Sequence, residues 1–156
     1  MKKKIEILAP AKNLVQGIAA INSGADAVYI GAPLYGARSN ATNSVEDIAE
    51  LVKYAHLFNA QVFVVINTIL YDNELEPCRQ LIWKLYDIGV DALIIQDMAI
   101  MEMELPPIVL HASTQTNNRD ADKIKFLADA GIKRVVLARE LNLSQIKEIH
   151  NASDVE

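Results

Sequence analysis

The chain has 156 residues, of which 51% are hydrophobic and 22% are charged, and its formal net charge is −5. This length and composition are typical of one globular domain with a sizeable core, and the acidic balance excludes a chain-wide basic footprint for nucleic acid. No apolar run reaches the ~20 residues of a membrane-spanning helix, no signal-peptide pattern is present, and the single cysteine, Cys78, excludes an internal disulfide. We therefore expect a cytoplasmic protein that does not enter a membrane.

The first half of the chain alternates short apolar runs with helical patterns. The predicted strands are 5–9, closed by Pro10, then 27–31 and 61–67. Helical spacing covers 13–22, and a second helix follows Ser44, with Asp47 three residues on as a capping box. The long connection between the second strand and that helix contains Arg38.

The second half continues the same alternation. Asp72 or Asn73 opens a helix whose start is left open by Pro77, because proline fits only in a first turn. A strand at 91–96 precedes a short helical stretch at 98–103. The strand from Ile108 ends in the polar run His-Ala-Ser-Thr-Gln at 111–115. A helix at 118–130, a strand at 134–139 and a helix at 144–151 follow.

An internal repeat supports a parallel sheet. The segments that begin at Gly24, Gly89 and Gly131 each place a helix-ending glycine before a short turn and a buried strand. Six strand–helix alternations predict right-handed crossovers. A (β/α)8 barrel needs eight, so we expect an α/β fold with about six βα units of an incomplete TIM-type barrel. A doubly wound open sheet is the alternative, although no Gly-x-Gly-x-x-Gly follows the first strand.

The chain is accordingly predicted to be one domain, residues 1–156. Residues 154–156 look like the start of a seventh strand that is cut off, so we expect either a fragment or a sheet that closes in another way. The two open edges of a six-stranded sheet leave backbone groups unpaired. We therefore expect self-association through these edges.

The positions of the polar residues predict which face of each strand points into the barrel. One face, predicted to line the barrel interior or its mouth, carries Glu6, Tyr29, Asn67, Gln96, His111, Ser113 and Arg139. The opposite face, predicted to pack on the helices, carries Ile5, Ile7, Val28, Ile30, Val64, Ile66, Ile95, Leu110, Ala112, Val136 and Ala138. Because functional sites of parallel folds lie at the carboxyl ends of the strands, this cup is predicted to bind a small polar or anionic ligand.

Each member of the cup also has a structural alternative. Glu6 is expected to pair with a buried cation, for which Arg139 is the predicted partner, and His111 fits either a core histidine or the proton-transfer group. Asp97 and Glu140 each follow a strand and fit a capping role. Arg38 is either a solvated loop residue or an anion contact.

A serine protease triad and a metal site are both disfavoured. His111 and Ser113 lie on one strand with parallel side-chain directions, and no Gly-x-Ser-x-Gly turn presents the serine to a base. The three histidines, His56, His111 and His150, are scattered along the chain, so no metal ligand set is predicted.

Several motifs in this order resemble the collagenase-like peptidase family, also called the U-thirty-two peptidases. They are Ile7-Leu-Ala-Pro-Ala, Gly24-Ala-Asp-Ala-Val-Tyr-Ile-Gly, Gly36-Ala-Arg, Asn67-Thr, Gln96-Asp97, His111-Ala-Ser-Thr-Gln and Val136-Leu-Ala-Arg-Glu. The resemblance covers essentially the whole chain. It implies a (β/α)8 barrel of which this chain is the N-terminal part, ending before a strand that carries a cysteine signature.

The resemblance implies several activities. The family carries a peptidase label, so a hydrolase of peptide bonds is the first expectation. Members that hydroxylate a base of transfer or ribosomal RNA, or a quinone precursor, use an iron–sulfur cluster, which implies a cluster in the full-length protein and none in this chain. A non-catalytic module that binds a ligand or partner is the third hypothesis, and the fragment alone is expected to be inactive.

For either enzyme, the expected substrate is a peptide, an RNA or a small polar or anionic molecule. Glu6 and His111 are the catalytic candidates. The predicted substrate contacts are Arg38, Asn67, Gln96, Ser113, Gln115, Arg139 and Glu140.

Overall fold

The computed structural model describes residues 5–36 and 43–156. Its strands are β1 (Leu8–Ala11), β2 (Ala27–Gly31), β3 (Gln61–Ile66), β4 (Ala92–Ile95), β5 (Val109–Ala112) and β6 (Arg134–Val135). Its helices are α1 (Leu14–Asn22), α2 (Val45–Leu57), α3 (Asp72–Asp87), α4 (Ala121–Asp129) and α5 (Leu143–Ala152). Two short 3-10 helices, Met98–Glu102 and Thr114–Thr116, complete the described elements.

The strands form one parallel sheet in the order β1-β2-β3-β4-β5-β6, so spatial order equals chain order. Sequential parallel pairing with a helical segment after each strand is the wall of a (β/α)8 barrel. The predicted incomplete barrel is therefore confirmed. The edge strands among the described residues are β1 and β6, and self-association through them stays a prediction.

The sheet separates two apolar layers. The outer layer packs on the helices and contains Val28, Ile30, Val64, Ile66, Ile95 and Ala112, with Leu110 against it, as the phase predicted. The inner layer is smaller and contains Ala27, Phe63, Ala92 and Ile94, with Tyr29 and Val65 packed against it. Because every other residue of a strand faces the same side, the inner layer also fixes which side chains reach the barrel interior.

Local sequence explains where the helices begin. Ser44 Oγ accepts from the Asp47 backbone N at 3.1 Å, and Asp47 Oδ2 accepts from the Ser44 backbone N at 3.0 Å, which confirms the predicted capping box. Asn142 and Gln145 form the same reciprocal pair at the start of α5. Both pairs satisfy backbone N–H groups that a helix start leaves without partners.

Three of the element boundaries, those of β1, α4 and β6, differ clearly from the sequence predictions. β1 runs through Pro10 rather than ending before it, and Ile5 and Ile7 are exposed residues ahead of the strand. β1 pairs only with β2, so an edge strand tolerates a proline that cannot donate. α3 begins at Asp72, one of the two predicted starts, and Pro77 is its sixth residue, so α3 accepts the proline beyond its first turn.

The other two boundaries lie near the mouth of the barrel. α4 begins at Ala121 rather than at 118, because Asp120 caps it and the side chain of Asn118 bonds elsewhere. β6 spans only Arg134–Val135, rather than 134–139. The chain then leaves the ladder, although Val136 N still donates to Ala112 O at 3.0 Å.

The residues after α5 lie beside β6. Val135 N donates to Glu156 O at 2.6 Å, and Glu156 N donates to Lys133 O at 3.4 Å. These two bonds flank one residue of β6 as a parallel neighbour does. The pairing agrees with the expectation that 154–156 resembles the start of a further strand.

Candidate functional site

A cavity of about 760 Å³ opens at the carboxyl ends of the strands, and we call it the mouth. Its apolar lining includes Val65 and Ile94 from the inner sheet face and Val136 from the segment after β6. Its polar lining consists of Lys12, Tyr29, Asn67, Ser113, Thr114, Gln115 and Arg139. Among the described residues that line the mouth, two are cations and none is a carboxylate.

Both edges of the sheet contribute to the mouth. Lys12 directly follows β1 and Arg139 lies beyond β6, yet both line the same cavity. The sheet is therefore curved enough to bring its first and last strands to one opening. Both side chains are exposed, and neither has a carboxylate partner among the described residues.

Four of the predicted substrate contacts lie together at the mouth: Asn67, Ser113, Gln115 and Arg139. Val136 also lines this cavity, so its predicted outward orientation is wrong. That prediction assumed that side chains alternate between the two sheet faces throughout 134–139. β6 ends at Val135, so this alternation does not extend to Val136.

The remaining predicted contacts do not join the lining. Gln96 is half-buried outside it, and Glu140 is exposed and pairs with Arg119 at 3.3 Å. Asp97 caps the 3-10 helix after β4, as expected, through a bond from the Ala99 N. Arg38 lies outside the described residues.

Ser113 is an organised turn residue rather than a free hydroxyl. Its side chain is buried, its Oγ accepts from the Gln115 N at 3.2 Å, and its N donates to Ile95 O at 2.8 Å. The first bond caps the 3-10 helix that presents Gln115 to the mouth. A nucleophile needs a base on its hydroxyl proton, and no bond from the Ser113 hydroxyl to a base is seen within 5–36 and 43–156.

The predicted catalytic pair lies outside the lining of the mouth: Glu6 precedes β1, at the amino ends of the strands, and His111 is in register with Arg134. We call the cluster that these residues form with Arg134 the floor. Glu6 is engaged by Arg134, whose Nη1 and Nη2 donate to Glu6 Oε1 and Oε2 at 2.7 and 3.0 Å. Arg134 Nη2 also lies 3.0 Å from Glu156 Oε2. The predicted partner of Glu6, Arg139, is therefore wrong, because Arg139 lies at the mouth.

Sequence reasoning missed Arg134 although a signal was available. Arg134 pairs in register with His111, and registered residues of parallel strands face the same side. An inward His111 therefore requires an inward Arg134. Its guanidinium lies 5.3 Å from the centre of the Phe63 ring, a cation–π contact that adds to the two carboxylates.

His111 is a buried, neutral member of the floor. Only 5% of its surface is exposed, and its ring meets Phe63 edge-on with centroids 4.9 Å apart. Burial, and secondarily the positive charge of Arg134, lowers the His111 pKa to about 4, while Glu156 opposes the shift. Its Nδ1 has no hydrogen-bond partner among the described residues. His111 thus lies behind the lining of the mouth, where its predicted proton transfer stays a prediction.

The cysteine of this chain, Cys78, does not fit as a ligand of an iron–sulfur cluster. Cys78 is fully buried in α3 against the helix-side core. Burial, with the charges of Glu74 and Asp97, raises the pKa of its thiol to about 12, whereas cluster ligation requires a thiolate. Within 5–36 and 43–156, no group of three or more His, Cys, Asp or Glu side chains is placed to hold a metal ion.

No helix in the described part of the chain has the length and apolar character to cross a membrane.

Comparison with known proteins shows the family and the fold. The family model described as Peptidase family U32 matches residues 12–156. The U32 peptidase Mk0906 superposes with a TM-score of 0.80 at 12% identity, covering 100% of this chain and 68% of that chain. The 3-hexulose-6-phosphate synthase of Salmonella typhimurium superposes with a TM-score of 0.70 at 16% identity, over 96% of this chain and 72% of that one. At these identities the superpositions show the fold alone.

Curated relatives carry two kinds of name. The 23S rRNA 5-hydroxycytidine C2501 synthase of Escherichia coli is 58% identical over 97% of this chain and 23% of its own length. The tRNA hydroxylation protein P1 of Bacillus subtilis is 37% identical over 99% of this chain and 37% of its own. The collagenase of Porphyromonas gingivalis is 32% identical over 93% of this chain and 36% of its own. The chain thus spans between about a quarter and about a half of the length of such relatives.

Proposed function

Because the chain belongs to peptidase family U32, we propose that it is the N-terminal barrel segment of an RNA-modifying protein that hydroxylates a nucleobase. The observation that carries this proposal is the 58% identity to a 5-hydroxycytidine synthase of 23S rRNA over 97% of the chain. Relatives named for tRNA hydroxylation match at 32–37% identity. The proposed substrate is therefore a cytidine of 23S rRNA, and the RNA alternative expected from the resemblance takes precedence over peptide hydrolysis.

The mouth has the chemistry for a nucleotide. Its volume of about 760 Å³ lies within the range typical of small-ligand sites. Lys12 and Arg139 supply positive charge for phosphate, Asn67 and Gln115 supply amides for polar edges, and Tyr29 supplies an aromatic surface. The overall charge of −5 makes such local cations the source of anion attraction in this chain.

Residue roles follow from position. Asn67, Ser113, Gln115 and Arg139 are proposed as substrate contacts, with Arg38 as a further anion contact and Gln96 and Glu140 as contacts of the surrounding surface. His111 is proposed to act as a neutral imidazole. The bidentate bond to Arg134 gives Glu6 a structural role and gives its predicted catalytic role no support.

The oxidation is proposed to depend on the whole protein. Since Cys78 does not fit a cluster, any iron–sulfur ligands come from outside these 156 residues, and the chain alone is expected to be inactive.

The proposal is tested in the source organism. We would delete the gene that encodes this chain, digest 23S rRNA and tRNA to nucleosides, and quantify hydroxylated nucleosides by mass spectrometry. Loss of 5-hydroxycytidine from 23S rRNA, restored by the intact gene, is the expected result. Restoration by an Arg139→Gln gene should be weak. An Arg79→Gln gene serves as the control, because Arg79 pairs with Glu76 on the surface of α3.

Unchanged 5-hydroxycytidine in the deletion strain would contradict the proposal. Loss of a hydroxylated tRNA nucleoside instead would mean that the substrate is transfer RNA rather than ribosomal RNA. If neither changed but the purified natural protein bound a ligand saturably, the binding-module hypothesis would be favoured.

Peptide hydrolysis is the second candidate, because relatives named as a collagenase and an uncharacterized protease match at 32% and 40% identity. The buried, turn-capping Ser113 and the neutral floor histidine give it no nucleophile–base pair. We expect the purified natural protein to leave gelatin intact. Cleavage of gelatin that disappears in a His111→Gln variant would favour the protease function.

A further inference from the structure

We propose that the mouth contains a phosphate subsite formed by Lys12 and Arg139, and that the buried side chains of Asn43 and Asn118 position these two cations. The inference deepens the proposed function, since it names the part of an RNA substrate that this end of the barrel would bind. It rests on that function only in the choice of nucleotide used as a probe.

The first observation is the placement of the two cations. Lys12 follows the first strand and Arg139 follows the last described strand, and both line one cavity without a carboxylate. Two cations that line separate walls of one cavity favour an anion between them. Side chains with no ionic partner among the described residues lose no ion pair when they bind a phosphate. Arg134, in contrast, would lose its pairs with two carboxylates.

The second observation is Asn118, which is fully buried. Its Nδ2 donates to Ser113 O and to Val136 O, both at 2.9 Å, and its Oδ1 accepts from Thr116 Oγ1 at 2.6 Å. Its backbone O accepts from the Ala138 N at 3.0 Å. One residue thus connects the loop after β5 with the segment that leads from β6 to Arg139.

The third observation is Asn43, which repeats the arrangement at the other edge of the sheet. It is 4% exposed, and its Nδ2 donates to Lys12 O at 3.1 Å and to Gly31 O at 3.2 Å. This amide therefore connects the carboxyl ends of β1 and β2. The backbone that carries Lys12 is held by one of these two bonds.

The two asparagines are energetically suited to the task. A buried amide is costly unless its hydrogens find acceptors. Both amides use their two hydrogens on carbonyls of two separate segments, so a shift of either segment would break one of these bonds. Residues that hold a binding group in place reduce the free energy lost on ordering it.

The subsite is tested by calorimetric titration of the natural protein that contains this chain. The probes are inorganic phosphate, cytidine 5′-monophosphate and cytidine. We expect the monophosphate to bind more tightly than cytidine. Lys12→Gln and Arg139→Gln should each weaken phosphate and monophosphate binding roughly tenfold, as for loss of a charge-assisted hydrogen bond.

Arg79→Gln is the matched control for loss of a surface cation, and it should leave both affinities unchanged. Absence of phosphate and monophosphate binding, or binding that both mouth variants leave intact, would overturn the proposal. Because inorganic phosphate carries no base, this result is independent of the hydroxylation test on rRNA.

The positioning role is tested with Asn43→Ala and Asn118→Ala, and with Asn118→Ser in case the alanine variant does not fold. The exposed Asn151 of α5 supplies the control, Asn151→Ala. We expect the affinity ratio of monophosphate to cytidine to fall several-fold while circular dichroism shows a folded protein. A purely structural asparagine would lower thermal stability and leave that ratio unchanged, which would refute positioning.

A final titration distinguishes the source of the phosphate. A short oligoribonucleotide without a terminal phosphate presents only diesters, whereas the mononucleotide presents a monoester. Binding of the oligoribonucleotide that depends on Lys12 and Arg139 would assign the subsite to an RNA backbone. Binding of the monoester alone would keep the subsite and assign it to a small phosphorylated molecule.

Discussion

The floor and the mouth of this half-barrel use the same residue types in opposite ways. At the floor, Arg134 is bonded to Glu6 and Glu156, and its side chain is only 16% exposed. At the mouth, Arg139 is exposed and has no carboxylate partner among the described residues. The two arginines are separated by only four residues in the sequence, yet one is used for stability and the other remains open to a ligand.

The floor and the mouth are stabilised by different kinds of interaction. The floor relies on charge, with Glu6 joining the start of the chain to β6. The mouth relies on side-chain bonds to the backbone, which come from the neutral amides of Asn43 and Asn118 and, outside the cavity lining, from the Asp97 carboxylate. Among the described residues that line the cavity, no carboxylate neutralises its cations. A site for an anion requires this separation, because an internal carboxylate would compete with the ligand.

The largest predicted effect comes from removing the floor cation. Arg134→Met should lower the free energy of unfolding by about 3 kcal/mol, because two carboxylates lose a partly buried partner. Arg139→Met, the matched change at the mouth, should lower it by less than about 0.5 kcal/mol. Urea denaturation measures both, and equal losses would remove the distinction between the two ends.

The second effect concerns pH and is specific to the floor. The His111 pKa is about 4 in the folded chain against an ordinary value of 6.5, so the unfolded chain takes up a proton first as pH falls. Stability should therefore fall between about pH 6.5 and pH 4, with about 2 kcal/mol lost from pH 7.5 to pH 5, and level off below the folded pKa.

The His111 effect is isolated by comparing variants across that range. A His111→Gln protein should show a flatter dependence of unfolding free energy on pH than the natural chain. His150→Gln, at the exposed end of α5, should keep the original slope. Identical slopes in all three proteins would mean that His111 is not protected from protonation.

The third effect tests the backbone connections of the mouth. Asp97 Oδ2 accepts from the Leu70 N at 2.8 Å and Oδ1 accepts from the Ala99 N at 2.9 Å, so the side chain joins the loops after β3 and β4. Asp97→Asn replaces one acceptor by a donor and should cost about 1 kcal/mol. The exposed Asp87→Asn is the control, and a cost of the same size there would argue against the connection.

The smallest effect separates exposed from buried ion pairs. Arg119 and Glu140 lie 3.3 Å apart with side chains that are 52% and 65% exposed. Glu140→Gln should change the unfolding free energy by less than about 0.5 kcal/mol, in contrast to Arg134→Met. A larger loss in thermal or urea denaturation would show that the surface near the mouth is also held by charge.

The sequence predicted the wall of the barrel better than its ends. The phase of β2 to β5 followed from apolar residues such as Val28 and Ile95, which must face the helices when polar neighbours alternate with them. Repeated glycine turns predicted the parallel order, because Gly24, Gly89 and Gly131 all adopt positive φ angles at helix ends.

The candidate site was only partly predictable because it depends on where strands stop. Asn67, Ser113, Gln115 and Arg139 were found since they follow apolar runs. Lys12 was missed because β1 was placed too early, before Pro10.

Asn43 and Asn118 were missed for a different reason. Their importance lies in hydrogen bonds to backbone groups distant in sequence, for which residue spacing holds no signal.

The order of strands along the sheet has a consequence for synthesis. Each strand from β2 onward pairs with the strand made immediately before it, so each new unit can dock on structure already present while the chain is still being extended. The Glu6–Arg134 bond is the exception, since it joins residues 128 positions apart. We expect this bond to form only after β6 has been made, which would make the floor among the last parts of the described fold to close.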